Sequence, residues 1–230
     1  MSTDTDRIRI SPSIIAADLT TFGSFVKALD PSIVDLLHLD VMDGSFVPNL
    51  TFGPGYIKQL SSHTDIPLDV HLMIENPDHS IAQYLELSPR IITIHYESTR
   101  FPIRLLNLIR NSKIMAGISI NPATPVESIA DILPYADMVL LMSVDPGFYG
   151  QKFLETSITR IKTLAALIRK LNLSGKVDIQ VDGGITAENI AEVVKAGARI
   201  LVAGNAAFRD GAVNDNVSKL KEAAAKGLAG

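Results

Sequence analysis

Two rhythms of apolar and polar residues alternate along this chain. Short runs rich in Ile, Val and Leu carry the period-two pattern of strands. Between them lie stretches with helical spacing, and Gly and Pro mark the joins. The predicted strands are 7–15, 35–43, 67–74, 90–97, 113–120, 137–144, 176–184 and 198–204. The predicted helices run from an N-cap at Asp18 to about Leu29, across 56–60, from Pro77, around Leu105, after Pro125, up to about Leu171 and from Thr186 and Glu188, with an Ala-rich helix last. Strands that alternate with helices imply a parallel sheet, and right-handed crossovers leave few topologies. Eight such units in 230 residues match a (β/α)8 TIM barrel near its compact end. A doubly wound open sheet is the competing arrangement, but eight evenly spaced units close more naturally than they stay open. No linker or shift in composition marks a second domain, so 1–230 is expected to be a single barrel domain. The charged stretches 100–110 and 154–170 read as solvated outer helix faces.

Composition narrows the function. An apolar fraction of 47% with a net charge of −4 excludes a disordered chain. Mild acidity without a basic run argues against nucleic acid as the main partner. No apolar stretch is long enough to span a membrane, and the opening MSTDTDRIRI does not read as a secretion signal. With no Cys, disulfides are excluded and a reducing compartment, the cytoplasm, is expected. Any metal must then be held by His and carboxylate.

Barrels carry their chemistry at the C-terminal ends of strands. The second run ends His38-Leu39-Asp40-Val41-Met42, so His38, Asp40 and Met42 share one face while Leu39 and Val41 share the other. In the third run Asp69, His71 and Met73 share a face against Val70 and Leu72, and the seventh run ends on Asp182 before Gly183-Gly184. Apolar residues outward with His and carboxylate inward invert the usual burial preference, and a buried carboxylate needs a cation or hydrogen bonds. A single strand His is ordinarily a hydrogen-bonded core residue, and an Asp before Gly-Gly is ordinarily a turn residue. Jointly, two His and two Asp at three strand ends can converge on one divalent ion, Zn²⁺, Fe²⁺, Mn²⁺ or Co²⁺. The glycine clusters after the last strands (147–150, 183–184 and 204) either make turns or bring backbone N–H groups close to a phosphate, with 205–208 as a short extra helix. Met42, Met73 and Met142 near strand ends either fill core or line the mouth with apolar surface.

Several runs together carry a resemblance. HLDVMDGSFVPNLTFGP (38–54), SPSIIAADL, LDVHLMIENP (68–77), GISINPATPVE (117–127), MSVDPGFYGQKF (142–153), VDGGI and VAGNAAF resemble, in order over nearly the whole chain, the ribulose-phosphate 3-epimerase family. The resemblance implies a barrel of the ribulose-phosphate-binding type. It implies interconversion of D-ribulose 5-phosphate and D-xylulose 5-phosphate in the pentose phosphate pathway. His38, Asp40, His71 and Asp182 would hold one divalent metal ion, with no organic cofactor. Asp40 and Asp182 would also be the catalytic acid/base pair on opposite faces of the substrate. Ser13 and His71 would contact substrate, and Met42, Met73 and Met142 would line the pocket. Gly147, Gly150, Gly183, Gly184, Gly204 and Asn205 would surround the phosphate, mostly through backbone N–H groups. The family is similarly expected to form a homo-oligomer, with a small-molecule sugar phosphate as partner.

The chain departs from the family pattern in places. Asp145 and Tyr149 replace the usual Asn and Gly, Asn205 replaces Ser, and Leu87-Ser88-Pro89-Arg90 replaces Ala-Gly-Ala-Asp. The first three make a ketohexose 6-phosphate such as allulose 6-phosphate the nearest rival substrate. A phosphate-binding decarboxylase would need Lys beside the strand-end Asp residues, and none is there. A non-catalytic sugar-phosphate sensor would have lost one of His38, Asp40, His71 or Asp182, and all are present. Inverting a carbon next to a ketone needs a proton taken from one face of C3 and another delivered to the opposite face, through a 2,3-enediolate, and two flanking carboxyl groups suffice if one begins ionised and the other protonated. A metal would stabilise that charge as a Lewis acid.

Overall fold

A computed structural model describes residues 7–18, 20 and 22–228, and in it every predicted run contains a strand. The strands are β1 (Arg9–Pro12), β2 (Leu37–Met42), β3 (Leu68–Met73), β4 (Ile91–His95), β5 (Met115–Ile120), β6 (Met138–Met142), β7 (Asp178–Asp182) and β8 (Ile200–Ala203). All pair in parallel in the order β1-β8-β7-β6-β5-β4-β3-β2. The remaining seam, β1 beside β2, is joined by one parallel bridge between Ser13 and His38. The sheet therefore closes on itself as a (β/α)8 barrel rather than staying open. The helices are α1 (Phe22–Lys27), α2 (Pro54–Ser61), α3 (Ile81–Leu85), α4 (Pro102–Asn111), α5 (Thr156–Lys170), α6 (Ile190–Ala196), α7 (Asn205–Phe208) and α8 (Val213–Ala225). Among the described residues no helix is long and apolar enough to cross a membrane.

Strand alternation sorts the core into two shells. Outward residues such as Leu39, Val41, Val70, Leu72, Ile92 and Ile94 pack with helix residues such as Leu105, Leu106, Ile109, Ile161 and Leu164. Each such burial stabilises by about 1.5–3 kcal/mol, so this outer shell is what holds the helices on. Inward residues Ile91, Met138, Leu140, Met142 and Ile200 form a smaller cluster inside the barrel. Polar inward positions interrupt it toward the C-terminal ends, and these build the site.

Local chemistry moved several helix boundaries. The first helix begins at Phe22, not after Asp18, because Asp18 Oδ1 accepts the N–H and hydroxyl of Thr20 and closes a turn of its own. After Pro125 the chain makes two short 3-10 turns, Val126–Ile129 and Leu133–Tyr135, and Pro134 prevents a continuous helix. Pro77 opens a 3-10 turn before α3. Thr186 does not start α6: its N–H donates to Asn189 Oδ1 in the turn ahead of Ile190. Arg160 is an exception to the solvated outer face of α5. Its guanidinium turns inward to the carbonyls of Met142, Asn121 and Thr124.

Candidate active site

Strand register assembles the cluster. Between β2 and β3, His38 sits beside Asp69, Asp40 beside His71 and Met42 beside Met73; between β6 and β7, Met142 sits beside Asp182. His38 Nε2 lies 3.2 Å from Asp40 Oδ1, 3.4 Å from His71 Nδ1 and 3.8 Å from Asp182 Oδ2. His71 Nδ1 lies 3.1 Å from Asp40 Oδ1 and 3.8 Å from Asp182 Oδ2. One ligand atom from each of the four residues fits within 4.8 Å of the others. Carboxylate oxygens and imidazole nitrogens this close repel unless a cation or protons lie between them. The donor set of N and O atoms therefore fits a divalent ion of the Zn²⁺, Fe²⁺, Mn²⁺ or Co²⁺ type.

The surroundings separate the two carboxyl groups. Burial would raise Asp40, but the charge of His38 and its hydrogen bond hold Asp40 far below the usual carboxylate range. Burial, and next the Asp40 carboxylate, push Asp182 up to about 7. Burial would lower His38, but Asp40 and Asp69 flank it and raise it well above its ordinary value. His71 is pushed by burial down to about 4, the neighbouring Asp40 carboxylate opposing only in part. A divalent ion held here would compete with protons for these atoms.

The cluster forms the floor of a cavity of about 380 Å³ at the C-terminal mouth, within the range of small-molecule sites. Ser13, Asp40, Asp182, Met42, Met73 and Met142 line it together with Gly147, Gly150, Gly183, Gly184, Gly204 and Asn205. His38 and His71 have no exposed surface and are not on the cavity wall, so only the carboxylates of the four reach it. Ser13 Oγ donates to Asp40 Oδ2 at 2.5 Å, leaving Oδ1 toward the histidines. Met42 and Met73 pack with Val47, Ile15 and Phe46 as an apolar flank.

Loops brace the cavity. The Thr51 hydroxyl donates to the Asp40 carbonyl at 2.6 Å and accepts the Met42 N–H at 2.9 Å, pinning the end of β2. Asn49 Nδ2 donates to the Gly147 carbonyl at 3.2 Å, tying the loop after β2 to the loop after β6. Gly184 has φ +64°, and a Cβ there would collide with the Phe153 backbone, so glycine is required where the loop after β7 packs on the loop after β6. Asp145 is exposed and off the cavity wall; its carbonyl accepts from Gln151 Nε2. Tyr149 does line the cavity, as do Lys152 and Arg209, which sequence reasoning did not single out.

Also missed were the residues behind the histidines. Asp69 Oδ2 accepts from His38 Nδ1 at 2.8 Å, Ser11 Oγ at 3.0 Å and Gln180 Nε2 at 2.5 Å, all buried. His71 Nε2 meets His95 Nε2 at 2.8 Å, and His95 Nδ1 meets Glu97 Oε2 at 3.3 Å. The signal was present: Thr93 and His95 alternate with Ile92 and Ile94 just as His38, Asp40 and His71 alternate with apolar residues on β2 and β3.

Comparison with known proteins agrees with this geometry. The sequence profile of the "Ribulose-phosphate 3 epimerase family" matches residues 9–208. A ribulose-phosphate 3-epimerase of Aquifex aeolicus is 42% identical over 212 residues, 92% of this chain and 95% of the relative. One of Bacillus subtilis is 41% identical over 203 residues, 87% of this chain and 92% of the relative. A chloroplastic ribulose-5-phosphate-3-epimerase of Arabidopsis thaliana is 41% identical over 203 residues, 87% of this chain and 72% of the relative. Among solved structures, a tryptophan synthase α-subunit of Pyrococcus furiosus superposes with a TM-score of 0.65 at 16% identity, covering 98% of each chain. A 3-hexulose-6-phosphate synthase superposes with a TM-score of 0.64 at 15% identity, covering 94% of this chain and 99% of the other. At that identity these two speak for the fold alone.

Proposed function

The chain belongs to the ribulose-phosphate 3-epimerase family, and from that membership we propose that it inverts C3 of D-ribulose 5-phosphate to give D-xylulose 5-phosphate, with Asp40 and Asp182 as its two proton-transfer groups. The observation that carries the reading is the convergence of His38, Asp40, His71 and Asp182 beneath a cavity that only the two carboxylates reach. These four residues would hold one divalent ion. When bound, it supplies Lewis-acid stabilisation of negative charge on the substrate oxygens. Asp40 takes the C3 proton, and the electron pair left behind delocalises into the C2 carbonyl as a 2,3-enediolate. Asp182 returns a proton to the opposite face of C3, and the reverse reaction exchanges the two roles. Met42, Met73 and Met142 keep stray water and protons from the anion. Ser13 orients Asp40 by its hydrogen bond. The phosphate lies against the glycines and Asn205 of the lining, and anchoring there sets the register of C3 over the carboxylates.

The test is proton–deuterium exchange at C3 in D₂O, across a panel of pentulose and hexulose phosphates, with and without a strong chelator. The expected result is fastest exchange with ribulose 5-phosphate, loss on chelation and recovery with added divalent ion. Faster exchange with a hexulose 6-phosphate would overturn the substrate. Full activity in protein shown to contain no ion would overturn the metal.

A further inference from the structure

His71 and His38 present different nitrogens to the ion site. His38 uses Nε2 and turns Nδ1 to Asp69, whereas His71 uses Nδ1 and turns Nε2 toward β4. A neutral imidazole has one N–H and one lone pair, and a ligand nitrogen must be the bare one. Something must therefore hold the His71 proton on Nε2. Asp40 pulls the other way, because its carboxylate 3.1 Å from Nδ1 would accept a proton placed there.

The partner behind His71 is His95, not a carboxylate. Their rings meet nitrogen to nitrogen at 2.8 Å with centroids 4.9 Å apart and planes 21° apart. The contact is thus edge to edge, along N–H and lone-pair directions. The Phe46 and His95 rings lie 4.6 Å apart, centroid to centroid, and the His95 ring has no exposed surface. Beyond it, Glu97 accepts from the Asn121 N–H at 2.8 Å, from the Thr124 hydroxyl and from His95 Nδ1. Burial would raise Glu97, but these bonds outweigh it and hold the group as a carboxylate.

We propose that His95 is a positioning residue that locks His71 in its Nε2–H tautomer, and that the Glu97 carboxylate sets His95 in turn. A carboxylate can only accept, so His95 Nδ1 carries the proton. Neutral His95 then has a bare Nε2, which can only accept from His71 Nε2–H. His71 Nδ1 is left bare, facing His38, Asp40 and Asp182. The opposite orientation would set a bare His95 Nδ1 against a carboxylate oxygen. The relay rests on the metal reading given above, but its tautomer claim stands on the protein's own atoms.

The test uses full-length protein in which histidine is labelled with ¹⁵N. In the ion-free wild type, His71 is expected to show a protonated Nε2 and a bare Nδ1. Glu97→Gln is expected to give a mixture of tautomers, because an amide can either donate or accept. Zinc affinity, measured by competition with a chromophoric chelator, is expected to fall about 10–100-fold in His95→Leu, the range for loss of a ligand's hydrogen-bond partner. His95→Gln, whose side-chain oxygen can accept from His71, is expected to bind close to wild type. A wild-type His71 protonated on Nδ1, or His95→Leu binding zinc as tightly as wild type, would overturn the proposal. If His95→Leu does not fold, His95→Gln and the wild-type spectrum decide. A wild type that binds no zinc would instead sink the metal reading, and the spectrum would still settle the tautomer.

Discussion

Asp69→Asn probes the polar layer under the site. One oxygen of this fully buried carboxylate accepts from three buried donors: His38 Nδ1, Ser11 Oγ and Gln180 Nε2. Asparagine can set its carbonyl oxygen where Oδ2 stands, with its –NH₂ in place of Oδ1, which meets none of these donors. All three donors then keep an acceptor but lose their charge assistance. Hydrogen bonds to charged groups contribute about 1.5–3 kcal/mol and neutral ones about 0.5–1.5 kcal/mol. Three bonds weakened by about 1–1.5 kcal/mol each, offset by no longer burying a charge, leave a destabilisation of about 2–4 kcal/mol. For a chain of this size that lowers the Tm by roughly 4–16 °C. The assay is equilibrium urea unfolding of ion-free protein, with a thermal melt beside it. Unfolding within about 0.5 kcal/mol of wild type, the spread of ordinary surface substitutions, would refute the reasoning.

Three further outcomes are expected. Asp182→Asn should reduce C3 exchange by about 10²–10⁴-fold, and a variant retaining more than a hundredth of wild-type turnover would remove Asp182 from the acid/base pair. Gly184→Ala should raise KM for the sugar phosphate and lower stability by about 1–3 kcal/mol, because φ +64° and the Phe153 backbone both oppose a Cβ; unchanged KM and Tm would mean that the two loops do not pack so tightly. Asp43 links the loop after β2 to the end of β3 by accepting the N–H groups of Ser45, Phe46 and Glu75. Burial would raise its pKa, but these amides outweigh it and lower the group, so its stabilisation is present above the ordinary value of about 3.9 and is lost as pH falls through the lower folded value. The urea midpoints of wild type and Asp43→Asn should therefore differ at pH 7 and converge in acid, and a gap independent of pH would contradict the assignment.

Some of this was readable residue by residue. The inward placement of His38, Asp40 and His71 follows from alternation on β2 and β3, and Asp182 marks the end of β7. α1 and the turns after Pro125 were misjudged because Asp18 and Pro134 act through local bonds that a helical period does not register. The His95–Glu97 relay was overlooked because each residue is ordinary alone. Its meaning depends on His71 lying next to it on β3, and on Asn121 and Thr124 reaching Glu97 from the loop after β5.

The sequence by itself determined which side chains share a face, because alternation along a strand is a property of the backbone and needs no partner. It also supplied the residue types that can bind an ion and move a proton. Only the tertiary structure decided which faces meet, since pairing β2 with β3 and closing β1 against β2 set the distances among residues far apart in the chain. Closure of the barrel also removed water from around Asp40 and Asp182. That burial and the Asp40 charge push Asp182 up to about 7, while His38 holds Asp40 ionised against its own burial, and no single stretch of sequence contains these neighbours.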